Sequence, residues 1–242
     1  GWASKIVNMN RNRHSKIEPK PTDSELGVIR FDNTDGKPIA VVVNYAAHPT
    51  MLPSSDLRFS AEWPGKMEAA VEQTMNAPCV FMQGASGDMS VKPSADTNTI
   101  ETFGKAMAGH VTELAGEIET AIPETPSLQG RYDTVRCETR LPFDNPLLTI
   151  AFGAAFFPEL AGASMTDEMR ANQISAHLVT VLVNGELALV GGSGEFFCQH
   201  SNRLKARSRA GETFFFGYCN GHNMYFPTIE AAAEGGYGAD PT

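Results

Sequence analysis

The segment Ile39–Tyr45 constrains the fold of this chain more than any other part of the sequence, because it is apolar at every position except Asn44. A strand with one face in water alternates polar and apolar side chains, whereas a strand covered on both faces is apolar almost throughout. The segment therefore predicts a central strand in a covered sheet. The turn signal Asn33–Gly36 precedes it and predicts a hairpin with the strand Gly27–Asp32.

Helix and strand patterns alternate along the remaining sequence. Helical spacing of apolar residues predicts helices over Ala61–Met75 and 99–121, and shorter helices near 166–173 and 196–206. Strands are predicted at Cys79–Met82, Leu128–Arg140, Ser175–Val183, Glu186–Val190 and Thr213–Tyr218, and an apolar loop at 141–165. Because tight hairpins and helical crossovers both occur, the pattern predicts an α/β fold with layers of mixed β-sheet flanked by helices. No linker divides the chain, so residues 1–242 are predicted to form a single domain of catalytic type.

Composition argues against several classes of function. The net charge is −9, the sequence pI is about 5.1, and no run of Lys or Arg is present to neutralise phosphates, so no nucleic-acid partner is expected. The longest apolar stretch, Leu147–Phe157, is too short to span a bilayer. The cysteines lack CxxC spacing, which argues against a thiolate zinc cluster and leaves a disulfide or buried free thiols as alternatives.

Polar residues cluster where the predicted strands end. His48 follows the apolar strand, Gln83–Ser90 follows the next one, Glu195 comes after a run of glycines, and Asn220–Tyr225 follows an aromatic strand. Alternating α/β folds carry their sites at such strand ends. We therefore expect the four clusters to converge on one rim of the sheet.

Two serines offer an alternative chemistry. The segment Gly84–Asp88 resembles a G-x-S-x-G nucleophile elbow around Ser86, but Asp88 stands where the final glycine is required. A serine esterase or amidase that uses Ser86 or Ser90 is one alternative to metal chemistry. A non-catalytic binding protein that kept the fold is another.

Six segments, taken in order, resemble the motifs of the neutral/alkaline non-lysosomal ceramidases and their shorter bacterial relatives. The segments are Asn8–Arg11, Asn44–Thr50, Ser60–Gly65, Gln83–Ser90, Gly194–Phe196 and Asn220–Tyr225, followed by Tyr237. They are similar to the family's Asn-Ile-Asn-Arg, strand-end His, Ser-x-Asp-x-x-Gly, Asn-x-Gly-Asp-Val-Ser-Pro, Pro-Gly-Glu-Phe and Asn-x-Tyr-x-x-Tyr motifs. Departures occur at Glu62, Val91 and Ser193, where the family has Asp, Pro and Pro.

The resemblance implies a zinc-dependent hydrolase that cleaves an amide (N-acyl, ceramide-like) bond. His48, Glu195 and Tyr225 would bind Zn²⁺, which activates a water molecule for attack on the amide carbon. Arg11 and Tyr237 would stabilise charge on the carbonyl oxygen, and Ser90 would orient groups of the site. A phenol ionises only near pH 10 unless a cation intervenes, so His222 is a rival to Tyr225 as a ligand.

The resemblance also implies that part of the site lies outside this sequence. The family's His-x-His segment, which supplies a further zinc ligand, stands upstream of the motif matched at Asn8–Arg11, and no such segment precedes Asn8 here. The sequence is therefore interpreted as a processed or truncated part of a longer ceramidase-like domain: either an upstream chain from the same precursor supplies the missing segment, or the sequence is a fragment with an incomplete site. A small-molecule or lipid amide substrate, peripheral membrane contact and a secreted or periplasmic location are further expectations from the family.

Overall fold

Two four-stranded sheets frame the part of the chain that the structure, a computed structural model, describes, namely residues 1–139, 141–156 and 166–239. The strands are β1 Trp2–Ile6, β2 Asn10–Asn12, β3 Glu25–Asp32, β4 Pro38–Tyr45, β5 Cys79–Gln83, β6 Met89–Val91, β7 Leu128–Glu138, β8 Gln173–Val183, β9 Leu187–Gly192, β10 Glu195–Phe196, β11 Glu212–Phe216 and β12 Tyr225–Phe226. The α-helices are α1 Glu62–Met75, α2 Ile100–Glu117, α3 Pro146–Phe156, α4 Asp167–Arg170, α5 Cys198–Arg207 and α6 Ile229–Glu234.

The first sheet has the order β1-β3-β4-β5 and contains the predicted hairpin and central strand. Strand β4 pairs antiparallel with β3 and parallel with β5, and its residues Val41 and Val43 are completely buried. Helices α1 and α2 cover one face of this sheet, where Trp63, Met67 and Phe103 form the centre of the largest core cluster. The prediction of a covered central strand is confirmed.

The second sheet has the order β11-β9-β8-β7 and packs against the other face of the first. Ile29 of β3 meets Leu187, Phe214 and Phe216 there. Parallel and antiparallel pairs occur in both sheets, so the α/β fold with mixed sheets is confirmed.

The segment 141–165 departs from its prediction as a loop, because residues Pro146–Phe156 form helix α3. Proline fits the first turn of a helix, and the leucines and alanines that follow favour helix over loop. The end of the predicted apolar stretch, at Phe157, and the end of the predicted strand, at Arg140, lie outside the described residues. No helix in the described ranges is long and apolar enough to cross a bilayer. The four cysteines are free thiols.

Helices α1 and α2 approach each other closely at Gly104. A methyl group built on Gly104 would lie 2.6 Å from Lys66 Cβ and 2.8 Å from the Trp63 carbonyl oxygen. A separation under 3 Å to backbone atoms requires the helices to move apart. Gly109, one and a half turns further along α2, is exposed and has no atom within 4 Å of such a methyl group.

We therefore expect opposite effects from alanine at these two positions of one helix. Gly104→Ala should lower the free energy of unfolding by about 1–3 kcal/mol through overpacking. Gly109→Ala should raise it by up to about 1 kcal/mol, since alanine favours helix and meets no neighbour. Urea unfolding followed by circular dichroism measures both. Stabilisation by both substitutions would contradict the close approach.

Candidate functional site

The predicted residues His48, Glu195 and Tyr225 meet at one edge of the sheets. His48 follows the carboxyl end of β4, and its Nε2 lies 2.9 Å from Oε2 of Glu195. Strands β10 and β12 pair in parallel, which sets Glu195 directly beside Tyr225. The four polar clusters therefore converge at one edge of the sheets, as we expected from their positions at the ends of strands.

Hydrogen bonding fixes the orientation of the His48 ring. Its Nδ1 lies 3.0 Å from the backbone carbonyl oxygen of Met89, which can only accept a hydrogen bond, so Nδ1 is the donor. In neutral imidazole the lone pair is then on Nε2, which faces the carboxylate of Glu195. Two acceptors at this distance repel unless a proton or a cation lies between them. The contact therefore needs either a proton on Nε2, which makes it a hydrogen bond to Glu195, or a cation between the two groups.

Burial and hydrogen bonding shift the pKa of Glu195 in opposite directions. Burial raises its pKa, while hydrogen bonding to His48, Tyr225 and Tyr218 lowers it, and the net effect is a pKa below the usual value. Glu195 is thus held as a carboxylate, which is the form that binds a metal ion.

Two phenols lie next to this pair. The Tyr218 hydroxyl is 3.2 Å from His48 Nε2, and the Tyr225 hydroxyl donates to that of Tyr237 at 3.3 Å. Burial, followed by the charge of Glu195, raises the pKa of Tyr218. Burial, the hydrogen bond to Tyr237 and the charge of Glu195 raise the pKa of Tyr225. Both phenols are therefore protonated in the absence of a cation.

The segment that carries these phenols is conformationally unusual. Tyr218, Asn220 and Met224 all have φ close to +59°, in the left-handed region that costs energy for side chains other than glycine. Such strain clusters at functional sites. The Met224 carbonyl accepts a hydrogen bond from the Glu195 amide at 2.8 Å, so the strained segment also holds the carboxylate in place.

The donor set fits zinc only in part. In the described ranges no three side chains of His, Cys, Asp or Glu come together to hold a metal ion. The site offers one imidazole, one carboxylate and the phenol of Tyr225, whereas the common zinc sites use His, Cys, Asp or Glu. His222 does not complete the set, since it is half exposed, stacks on Tyr218 and reaches Oε1 of Glu195 only at 3.6 Å.

The predicted residues Ser90 and Arg11 lie beside the site. Ser90 of β6 is buried, forms a backbone bridge with His48, and has its hydroxyl 3.4 Å from that of Thr50. Arg11 pairs with Ser90 across β2 and β6. Its side chain is exposed and forms no hydrogen bond or ion pair with the described residues.

A second arginine, which the motif comparison missed, lies closer to the phenols. The guanidinium of Arg13 donates to the carbonyl of Gly87 at 3.3 Å and lies 5.7 Å from the centre of the Tyr237 ring. Arg13, Gly87 and Tyr237 line a cleft of about 440 Å³. The sequence did offer Arg13 as an alternative to Arg11, because the Asn-Arg pair occurs twice, at Asn10-Arg11 and at Asn12-Arg13.

The serines show no catalytic pairing. Ser86 is buried, and its hydroxyl has no hydrogen-bond partner among the described residues. The hydroxyl of Ser90 faces Thr50. Neither is hydrogen-bonded to a histidine among the described residues, the side chain that most often activates a nucleophilic serine.

The buried carboxylate of Asp88 connects the segments that carry the site. It accepts hydrogen bonds from the Asn12 side-chain amide at 2.7 Å and from the backbone amide of Cys198, the first residue of α5, also at 2.7 Å. Its backbone carbonyl accepts from the Arg13 amide. Burial raises the pKa of Asp88 and these hydrogen bonds oppose the rise. Asp88 thus links the Arg13 segment to the helix that follows Glu195.

Comparison with known proteins identifies the fold. No protein-family model matches the sequence, and no curated protein matches it. The solved neutral ceramidase from Pseudomonas aeruginosa matches with a TM-score of 0.75 and 18% identity, over 98% of this chain and 48% of that one. A structure described as ceramidase complexed with C2 matches with a TM-score of 0.72 and 18% identity, over 98% and 49%. The chain has the fold of the neutral ceramidases.

The resemblance to ceramidases that the motifs suggested is therefore confirmed at the level of the fold. The chain spans about half the length of the ceramidase structures that it matches. The zinc ligands His48, Glu195 and Tyr225, and the roles of Arg11, Ser90 and Tyr237, stay predictions.

Asp88 should be a major source of stability in this ceramidase fold. Asp88→Ala leaves the Cys198 amide without its acceptor in a buried place, and we expect the free energy of unfolding to fall by roughly 3 kcal/mol. The matched control is Asp133→Ala, which removes a carboxylate from an exposed pair with Arg131 and should cost less than about 1 kcal/mol. Chemical denaturation of both variants tests this, and equal losses would contradict the linking role.

Proposed function

We propose that this chain carries most of the active site of a zinc-dependent hydrolase that cleaves an amide (N-acyl) bond in a small-molecule or lipid substrate. The observation that carries the proposal is the meeting of His48 Nε2 and Glu195 Oε2 at 2.9 Å, with Nδ1 already committed to Met89, in a fold shared with ceramidases. His48, Glu195 and Tyr225 are the proposed ligands of Zn²⁺.

The residues around these ligands suit amide hydrolysis. Zinc, when bound, supplies a Lewis acid that polarises a carbonyl group and acidifies water. Arg13 and Tyr237 lie together at the cleft, where they can donate hydrogen bonds to a carbonyl oxygen that gains charge. Both arginines are exposed, and we propose Arg13 in this role in preference to Arg11 because the Arg13 guanidinium lies over the Tyr237 ring. Ser90 would orient the His48 segment through the bridge between their backbones.

A second imidazole is the group that the proposed site still lacks. The described residues offer two conventional zinc donors, and the chain spans about half of the ceramidase structures. We propose that a polypeptide from the same precursor supplies the further histidine, and that the complete protein is secreted or periplasmic, as the family resemblance implies. Intact-mass analysis and N-terminal sequencing of the native protein would detect such a companion.

Removal of a proposed ligand should abolish metal binding. We expect His48→Ala and Glu195→Ala each to weaken zinc affinity by more than about a hundredfold, since loss of an outer-shell partner alone costs 10- to 100-fold. His222→Ala is the control and should bind zinc as the wild type does. Competition with a chromophoric chelator measures the affinities. Unchanged affinity in either ligand variant would contradict the assignment.

Inhibition and turnover assays on the purified wild-type protein distinguish the alternative functions. Hydrolysis that a chelator abolishes and added zinc restores supports the metal hydrolase. Inactivation by a serine-directed phosphonate, with no effect of the chelator, would instead support an esterase or amidase that uses Ser86 or Ser90. Absence of both zinc binding and turnover on a panel of amides would point to a binding protein.

The two arginines should differ in their effect on turnover. Arg13→Ala should lower kcat by about 10²- to 10³-fold, the usual cost of losing a donor to the carbonyl oxygen, while zinc affinity is retained. Arg11→Ala should have a much smaller effect because its side chain lacks contacts at the cleft. Steady-state kinetics on one soluble amide decide the matter, and a larger loss in Arg11→Ala would restore the original prediction.

A further inference from the structure

The cleft of about 440 Å³ beside Tyr237 has a basic lining, although the chain as a whole carries a net charge of −9. One part of the lining comes from Arg13, His14 and Lys16, and another from Gly235, Gly236 and Tyr237. No Asp or Glu of the described ranges lines this cleft. A cleft lined by charge of one sign concentrates ligands of the opposite sign, so the lining indicates an anionic ligand.

Neutral groups hold the two cationic side chains at the cleft. The Arg13 guanidinium donates to the carbonyl of Gly87 at 3.3 Å, and Lys16 Nζ donates to the backbone carbonyl of Glu234 at 2.9 Å. Neither side chain forms an ion pair within the described part of the chain. A carbonyl group orients a cation without neutralising it, so both charges can form charge-assisted hydrogen bonds with a ligand.

One carboxylate near the cleft sets the charge that a ligand should carry. The Glu234 carboxylate accepts hydrogen bonds from the Ser15 hydroxyl at 3.2 Å and from the backbone amide of Lys16, and it does not line the cleft. It offsets one of the two cations, Arg13 and Lys16, and leaves about one positive charge. A singly charged oxyanion such as a carboxylate balances that charge, whereas a phosphate dianion would leave negative charge in excess beside Glu234.

The backbone after α6 gives the cleft a neutral donor as well. Gly235 and Gly236 have φ of +65° and +98°, in the left-handed region that glycine adopts without strain, and the chain folds back here so that Gly236 faces His14. The Gly236 amide forms no hydrogen bond with the described residues. A carboxylate has two oxygens that accept hydrogen bonds, so one bound in the cleft can accept from both this amide and Lys16.

Direct contacts join the cleft to the candidate site. The Tyr237 hydroxyl is 3.3 Å from that of Tyr225, and the two rings are 5.3 Å apart. The Arg13 guanidinium lies 5.7 Å from the centre of the Tyr237 ring. A substrate held at its carbonyl oxygen by Arg13 and Tyr237 therefore already occupies the cleft that Lys16 lines.

We propose that Arg13, Lys16 and the Gly236 amide bind a carboxylate of the substrate, so that the site favours amides with a carboxylate near the scissile bond, as in N-acyl amino acids. The scissile amide bond rests on the proposed function, but binding of the carboxylate requires neither metal nor catalysis. Because cations supply the attraction, binding should weaken as salt is added.

Calorimetric titration of the full chain with two matched probes, in the presence of a chelator that prevents turnover, tests the subsite. N-octanoylglycine carries a carboxylate where N-octanoylglycinamide carries an uncharged amide. The wild type should bind the carboxylate at least about tenfold more tightly, as expected for hydrogen bonds between charged groups. Lys16→Gln should lose most of this preference. The matched control is Lys37→Gln, which removes an exposed lysine from the turn before β4, at the opposite end of that strand from His48, and should keep the preference.

Three results would overturn the proposal. They are weak or equal binding of the two probes by the wild type, an unchanged preference in Lys16→Gln, and tighter binding of N-octanoyl phosphoethanolamine than of N-octanoylglycine, which would assign the cleft to a phosphate. Selective binding of the carboxylate without zinc binding or turnover would retain the subsite while the proposed hydrolase fails. Zinc-dependent amide turnover with equal affinity for the two probes would retain the hydrolase while the subsite fails.

Discussion

The whole site depends on the contact between the His48 imidazole and the Glu195 carboxylate, which are 147 positions apart in the sequence. Asn44, the polar interruption in the apolar strand β4, makes this contact feasible. Its side-chain amide donates to the carbonyls of Met82 in the first sheet and Phe215 in the second. A buried amide is stable only when its polar atoms have partners. Asn44 therefore ties the two sheets together four residues before His48, at the edge where the site forms.

Asp88 fixes the distance between two segments that carry residues of the candidate site. Its carboxylate joins Asn12 of β2 to the start of α5, which lies three residues beyond Glu195. The helix has no side-chain cap of its own, so the carboxylate of Asp88 also serves its first amide. One buried acid thus sets the distance between the Arg13 segment and the Glu195 segment without touching either functional side chain.

The sequence predicts the edge of the sheets better than it predicts the individual side chains. The apolar run of β4 and the polar residues at strand ends are local patterns, and together they predict the edge at which His48, Glu195 and Tyr225 meet. Arg11 and Arg13 are two residues apart and each follows an asparagine, so the sequence pattern cannot decide which one reaches Tyr237. Tyr218 was missed because it reaches His48 through a backbone with positive φ, which residue type alone rarely predicts. Helix α3 was missed because its uniformly apolar sequence has no periodicity.

Tyrosine is an unusual zinc ligand, so the proposed role of Tyr225 depends on the local electrostatics. Burial and the charge of Glu195 both raise the pKa of Tyr225, so its phenol donates hydrogen bonds while no cation is present. A divalent cation beside His48 and Glu195 would reverse the local field and favour the phenolate. Tyr225 would then change from a donor into a ligand, releasing one proton. The charge of Glu195 therefore opposes ionisation of Tyr225 while no cation is present, and a shared cation would remove that opposition. The proposed cation would therefore lower the pKa of the Tyr225 phenol, and only then could a residue with an ordinary pKa near 10 serve as a ligand at neutral pH.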